Sequence, residues 1–96
     1  MTAGESADVA TIERFADLLW LERGVAANTL AAYRSDLTHL ARWLRGRGVA
    51  GLLALERGDL LEYLAHLSAQ GRQARSAARL LSTLRHYIES MGGKLE

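Results

Sequence analysis

The sequence predicts an all-α fold, a compact four-helix bundle, on two observations. Apolar residues recur at helical spacing along the whole chain and nowhere alternate at the period of a strand. Glycines punctuate these periodic stretches at Gly24, Gly48, Gly71 and Gly92-Gly93. With connections this short, four helices have to pack against one another as neighbours.

The first helix is expected over Val9–Glu22, with Asp8 as its N-cap and Gly24 as its stop. Its buried side would hold Ile12, Phe15, Ala16, Leu19 and Trp20. The second is expected from a cap at Asn28 to Arg47, burying Leu30, Tyr33, Leu37, Leu40, Ala41 and Leu44, with Gly48 closing it. A loop through Gly51 leads to the third, Asp59–Ala69, where Asp59 and Glu62 have capping-box spacing and Gly71 is the stop. The fourth runs from Arg75 to Met91, buries Ala77, Leu80, Leu81, Leu84, Ile88 and Met91, and closes at Gly92-Gly93. Residues 1–8 are expected as a flexible N-terminus, 9–91 as the four-helix domain, and 92–96 as a truncated linker or cloning scar.

At 96 residues, 49% hydrophobic and 24% charged, the chain is one globular domain, too small for a typical two-domain enzyme. It has no cysteine, which excludes a disulfide scaffold, thiol catalysis and cysteine zinc sites, and it fits a reducing compartment. No run approaches the roughly 18 apolar residues of a membrane span, and the N-terminus lacks the pattern of a signal peptide. A cytoplasmic location and no membrane partner are expected.

The net charge of +1 hides a division. Residues 1–24 set Arg14 and Arg23 against Glu5, Asp8, Glu13, Asp17 and Glu22, a balance of −3. The second helix sets Arg34, Arg42, Arg45 and Arg47 against Asp36, giving +3. Residues 49–71 come to −2, and residues 72–87 carry Arg72, Arg75, Arg79 and Arg85 with no acid, giving +4. At about 100° per residue, the fourth helix turns Arg75, Arg79, Ser82 and His86 away from its apolar side, with Ser76 and Thr83 beside them. The second helix turns Arg34, Ser35, Thr38, Arg42 and Arg45 outward, and its N-terminus at Asn28-Thr29 offers backbone N–H groups and a hydroxyl. Guanidinium forks, hydroxyls and an imidazole on one face suit phosphate oxygens and guanine edges. A charge run is also what a solvated helix face looks like, so charge alone points to DNA without deciding it.

Catalytic chemistry is missing. His39, His66 and His86 sit on three different helices without metal-ligand spacing, and no phosphate-binding glycine loop or nucleophile elbow is present. Tyr33, Tyr87, Trp20 and Trp43 read as packing residues, and Glu13 with Asp17 as an ordinary exposed pair. No cofactor and no metal are expected.

The stretches "TIERFADLLWLERGVAANTLAAYRSDLTHLARWL" and "SAARLLSTLRHYIESM" resemble the N-terminal core-binding domain of tyrosine site-specific recombinases of the Xer and phage-integrase type. The residues that carry the likeness are Leu21-Glu22-Arg23, then Asn28, Thr29, Tyr33, Asp36 and Leu37, then Ser76, Arg79, Leu81, Ser82, Leu84 and Arg85. The resemblance spans about residues 9–91. It implies a SAM-like four-helix domain forming half of a clamp on double-stranded DNA, with the second and fourth helices in the major groove of a recombination half-site. Strand cleavage would belong to a C-terminal domain absent from this chain, so the fragment itself is expected to be no enzyme. In full length, further recombinase subunits would join it in a tetrameric synaptic complex, while the isolated domain is expected as a monomer.

Carried over by position, Thr29 and Arg34 would contact phosphates. Ser76, Arg79 and Thr83 would face the groove, with Arg72 and Arg75 near the backbone. Thr38, Arg42, Ser82 and His86 complete the expected DNA face. Arg85 is as well suited to a structural ion pair as to DNA. The competing expectation is a helical SAM-type protein-interaction module, in which acidic and basic faces of neighbouring molecules pair.

Overall fold

The computed structural model describes residues 2–72 and 74–95, without the side chains of Ala74, Ser76 and residues 91–95. It contains helices α1 (Ala3–Arg23), α2 (Ala27–Gly46), α3 (Arg57–Ala69) and α4 (Ala74–Leu95), with a short 3-10 turn at Leu52–Ala54. There is no strand among the described residues, so the all-α expectation holds. Among these residues no helix is long and apolar enough to cross a membrane. The helices fall into two units, residues 1–54 and 55–96.

In the first unit α1 packs on α2, and the 3-10 turn packs on both. The expected stripes are what is buried. Ile12, Phe15, Ala16 and Leu19 meet Leu30, Leu37, Leu40, Ala41 and Leu44, with Leu52 joining from the turn. Phe15, Leu40, Leu44 and Leu52 have no exposed surface at all, so the centre of this core tolerates no loss of volume. Tyr33 is only half-buried. Trp20, expected inside, is 54% exposed and lines a shallow groove with Ala16, Ala27 and Leu30. It directly follows Leu19, about 100° further round the helix, in the last turn before α1 stops at Arg23. In the second unit α3 packs on α4 through Leu60, Tyr63 and Leu67 on one side and Leu80, Leu81, Leu84 and Ile88 on the other. Met91, expected in this core, has its side chain outside the described residues.

Helix ends differ from the expectation, for identifiable reasons. α1 begins at Ala3, so residues 3–8, expected as a flexible terminus, are helical. Its cap is Thr2, whose Oγ1 accepts from Glu5 N–H at 3.1 Å while Glu5 Oε1 accepts from Thr2 N–H. That is a capping box. Thr2→Ala is expected to cost about 1 kcal/mol and fray the first turn, visible as faster amide exchange at Glu5 and Ser6. At the other end Gly24 takes the left-handed conformation (φ 62°) that closes the helix, as its position suggested.

α2 starts at Ala27 behind Ala26, which supplies no side-chain cap; Asn28, the expected cap, lies inside the helix. For α3 the capping box is Glu56 with Asp59, one turn ahead of the expected Asp59 and Glu62. α4 passes through Gly92-Gly93 and ends at Leu95.

Asp8, expected as a cap, is instead a buried tie in the first unit. Its Oδ1 accepts from the backbone N–H of Leu52 at 2.9 Å, and its Oδ2 accepts from Arg45 Nη1. One carboxylate thereby fastens α1 to α2 and to the 3-10 turn. Gly51 makes this possible, because a Cβ there would stand 2.6 Å from Asp8 Oδ1. Gly51→Ala is therefore expected to destabilise the unit by about 1–3 kcal/mol, read as a lower urea midpoint of tryptophan fluorescence.

Candidate nucleic-acid interface

The basic faces have to be rebuilt from what each arginine touches. On α2 most of the counted charge is already engaged. Arg34 Nε donates to Glu13 Oε1 at 3.0 Å, which joins α2 to α1. Arg45, expected to face outward, is held by Asp8 and is 25% exposed. Arg47 lies over the Trp43 ring, 4.7 Å from its centroid, where it gains a cation–π contact. Arg42, by contrast, is exposed and outside any ion pair among the described residues. The balance of +3 thus overstates what α2 can present to an anion.

The α2 N-terminus keeps its potential. Ala26 makes no capping bond and no acid occupies the first turn, so the leading N–H groups and the positive dipole end stay available beside exposed Thr29.

α4 is different. Arg75, Arg79, Ser82 and His86 are all exposed, and neither arginine meets a carboxylate among the described residues. Arg72, just before the helix, is exposed as well. The helix has no acid in its first turn. Positions 75, 79, 82 and 86 follow one another at three- and four-residue steps, so their side chains form one stripe along the helix. The side chain of Ser76, expected beside them, lies outside the described residues.

Two threonines have less freedom than their position promised. Thr83 Oγ1 donates to Arg79 O at 3.0 Å, and Thr38 Oγ1 donates to Arg34 O at 2.8 Å. Each hydroxyl has spent its one proton on the backbone and retains only acceptor capacity. Neither can donate to a phosphate while that bond lasts. Thr83 can instead accept from a base amino group or from a neighbouring arginine.

Arg85 does make an ion pair: its Nη1 is 2.9 Å from Glu89 Oε1, one turn along α4. Sequence reasoning missed Arg57, which sits at the start of α3 and lines a groove with Ser82, Arg85 and His86. No cluster of three or more metal-ligating side chains occurs among the described residues.

The chain is similar to known proteins of one family. The model of the phage integrase N-terminal SAM-like domain matches residues 12–90. The tyrosine recombinase XerD of Xanthomonas axonopodis pv. citri is 49% identical over 83 residues, 86% of this chain and 27% of the relative. XerD of Pseudomonas aeruginosa is 50% identical over 76 residues, covering 79% of the chain and 25% of the relative. XerD of Proteus mirabilis is 47% identical over 78 residues, 81% and 25% respectively. No solved structure matches the chain. The chain spans about a quarter of the length of these relatives. With a family model covering nearly all of its helices, this chain belongs to the phage integrase N-terminal SAM-like domain family.

Proposed function

We propose that this chain is the DNA-binding domain of a tyrosine recombinase and that it grips a recombination half-site with α4 set in the major groove and the start of α2 on the backbone. The observation that carries this reading is the α4 stripe of Arg75, Arg79, Ser82 and His86, exposed and unmatched by acid. Arg72 and Arg42 add cations for flanking phosphates. Arg34 joins them by leaving Glu13, since an exposed pair of this kind is worth only about 0.2–1 kcal/mol. Cleavage and strand exchange would be carried by a further region of the XerD-like protein, and the complete recombinase would assemble with other subunits on DNA.

The test is a salt titration of binding to a short duplex, followed by fluorescence anisotropy. Arg34 exchanges the Glu13 carboxylate for phosphate and so adds no net counterion release; the other four cations, Arg42, Arg72, Arg75 and Arg79, give an expected slope of log K against log salt of about −3.6. Between 50 and 200 mM salt the affinity then falls roughly a hundredfold. A flat salt response, or no binding at low salt, would sink this reading. The rival, a protein-interaction module, draws on the exposed Trp20 and Leu21 beside the acidic side chains of α1. It predicts self-association without DNA, read by sedimentation.

A further inference from the structure

Between α3 and α4, within the second unit, lies an open groove of about 350 Å³. Its floor is apolar, with Leu61 58% exposed along it, and its rim carries Arg57, Ser82, Arg85 and His86. Glu89 is the one acid at the rim, and it is already matched by Arg85 Nη1 at 2.9 Å. Arg85 Nε is buried and has no hydrogen-bond partner in the protein. A buried guanidinium donor left unspent is costly and marks a place where an acceptor is missing. Arg57, across the groove on α3, is exposed and in no ion pair among the described residues.

Resting on the DNA-binding reading above, we infer that this groove is a phosphate site that takes one backbone phosphodiester of the bound duplex. Ser82 and His86 belong both to the α4 stripe and to the groove rim, so the site adjoins the face assigned to the major groove. A tetrahedral phosphate accepts from several directions at once. Arg57 would donate from α3 and the Ser82 hydroxyl from α4; Arg85 Nε, sealed from solvent at rest, would join them once its side chain turns toward the groove, and the apolar floor would keep the local dielectric low and strengthen each bond. The α3 residue extends the DNA contact beyond the helices that the charge pattern singles out. Arg85 would have two tasks: one nitrogen on Glu89 to fix the fork, the other on phosphate.

The test uses the 96-residue chain, isotopically labelled so that arginine Nε–H signals are resolved by NMR. It is titrated with inorganic phosphate at constant ionic strength, and separately with a short duplex. The Arg85 Nε–H signal is expected to move in both titrations, and less so in Arg57→Ala. In parallel, Arg57→Ala is expected to weaken duplex binding about tenfold and to make the salt slope shallower by about 0.9. Arg57 is exposed, so this variant keeps its fold.

If wild type binds duplex while Arg57→Ala matches it and the Arg85 signal stays put, the groove inference fails and the DNA reading stands. A shift with inorganic phosphate but none with duplex also overturns it, because the groove is then an adventitious anion site. Failure of the DNA reading itself shows differently, as no duplex binding by wild type at all.

Discussion

Replacing Asp8 with alanine lowers the stability of the α1–α2 unit by about 3 kcal/mol, the low end of the cost of breaking a buried ion pair. Asp8 is only 6% exposed at its side chain, and it satisfies two groups at once, the Leu52 N–H and the Arg45 guanidinium. Removing the carboxylate strands the amide without an acceptor and leaves Arg45 half-wrapped in protein. The figure stays at the low end because Arg45 is 25% exposed and can turn its charge toward water. For a domain of this size, total stability is about 5–14 kcal/mol, so the loss is a large share of it. It corresponds to a fall in melting temperature of about 12–24 °C.

Asp8→Asn keeps one oxygen for Leu52 but places an amide beside Arg45, and is expected to lose less. The double variant Asp8→Ala with Arg45→Met should be more stable than Asp8→Ala alone, because no buried charge is then left unmatched. Trp20 and Trp43 both lie in the first unit, so urea melts followed by their fluorescence report on the right part of the molecule. Equal stability of Asp8→Ala and wild type would show that the carboxylate ties nothing together.

Asp8 also shows where sequence reasoning stops. The helices and their cores were readable because burial follows period, and period is local. Caps were readable in principle, since Thr2-x-x-Glu5 and Glu56-x-x-Asp59 both have capping-box spacing. The pattern of apolar residues pulled the expected starts inward, to the first residues that face the core, although a helix can begin a turn or more earlier. Charge suffered most. Arg34 meets Glu13 across 21 residues and Arg45 meets Asp8 across 37, and no count along the chain can subtract those partners. The count along α2 therefore overstates its free charge, whereas Arg75 and Arg79 of α4 stay exposed and outside any ion pair among the described residues. Thr38 and Thr83 lost their donor role to backbone carbonyls four residues back, a local competition that an outward-facing hydroxyl always has open to it.

On the proposed reading, the double variant Arg75→Ala with Arg79→Ala loses about a hundredfold in affinity for duplex at low salt, roughly tenfold for each charge-assisted contact. Its salt slope should be shallower by about 1.8, two counterions fewer. Both side chains are exposed and in no ion pair among the described residues, so folding should change by no more than about 0.5 kcal/mol. Lost binding is then not lost structure. Arg79→Lys separates two roles: a phosphate contact survives as a point charge, whereas a bidentate grip on guanine O6 and N7 does not, and the preference for one sequence over another collapses. Thr83→Val completes the contrast, because its hydroxyl proton is already spent on Arg79 O. It should leave the salt slope untouched and alter only the sequence preference. Glu13→Ala should act in the opposite sense to all of these, freeing Arg34 and removing an acid beside it, so that duplex binding tightens. If the double variant binds as well as wild type while Arg42→Ala does not, the contact runs through α2 and the weight placed on α4 is misplaced.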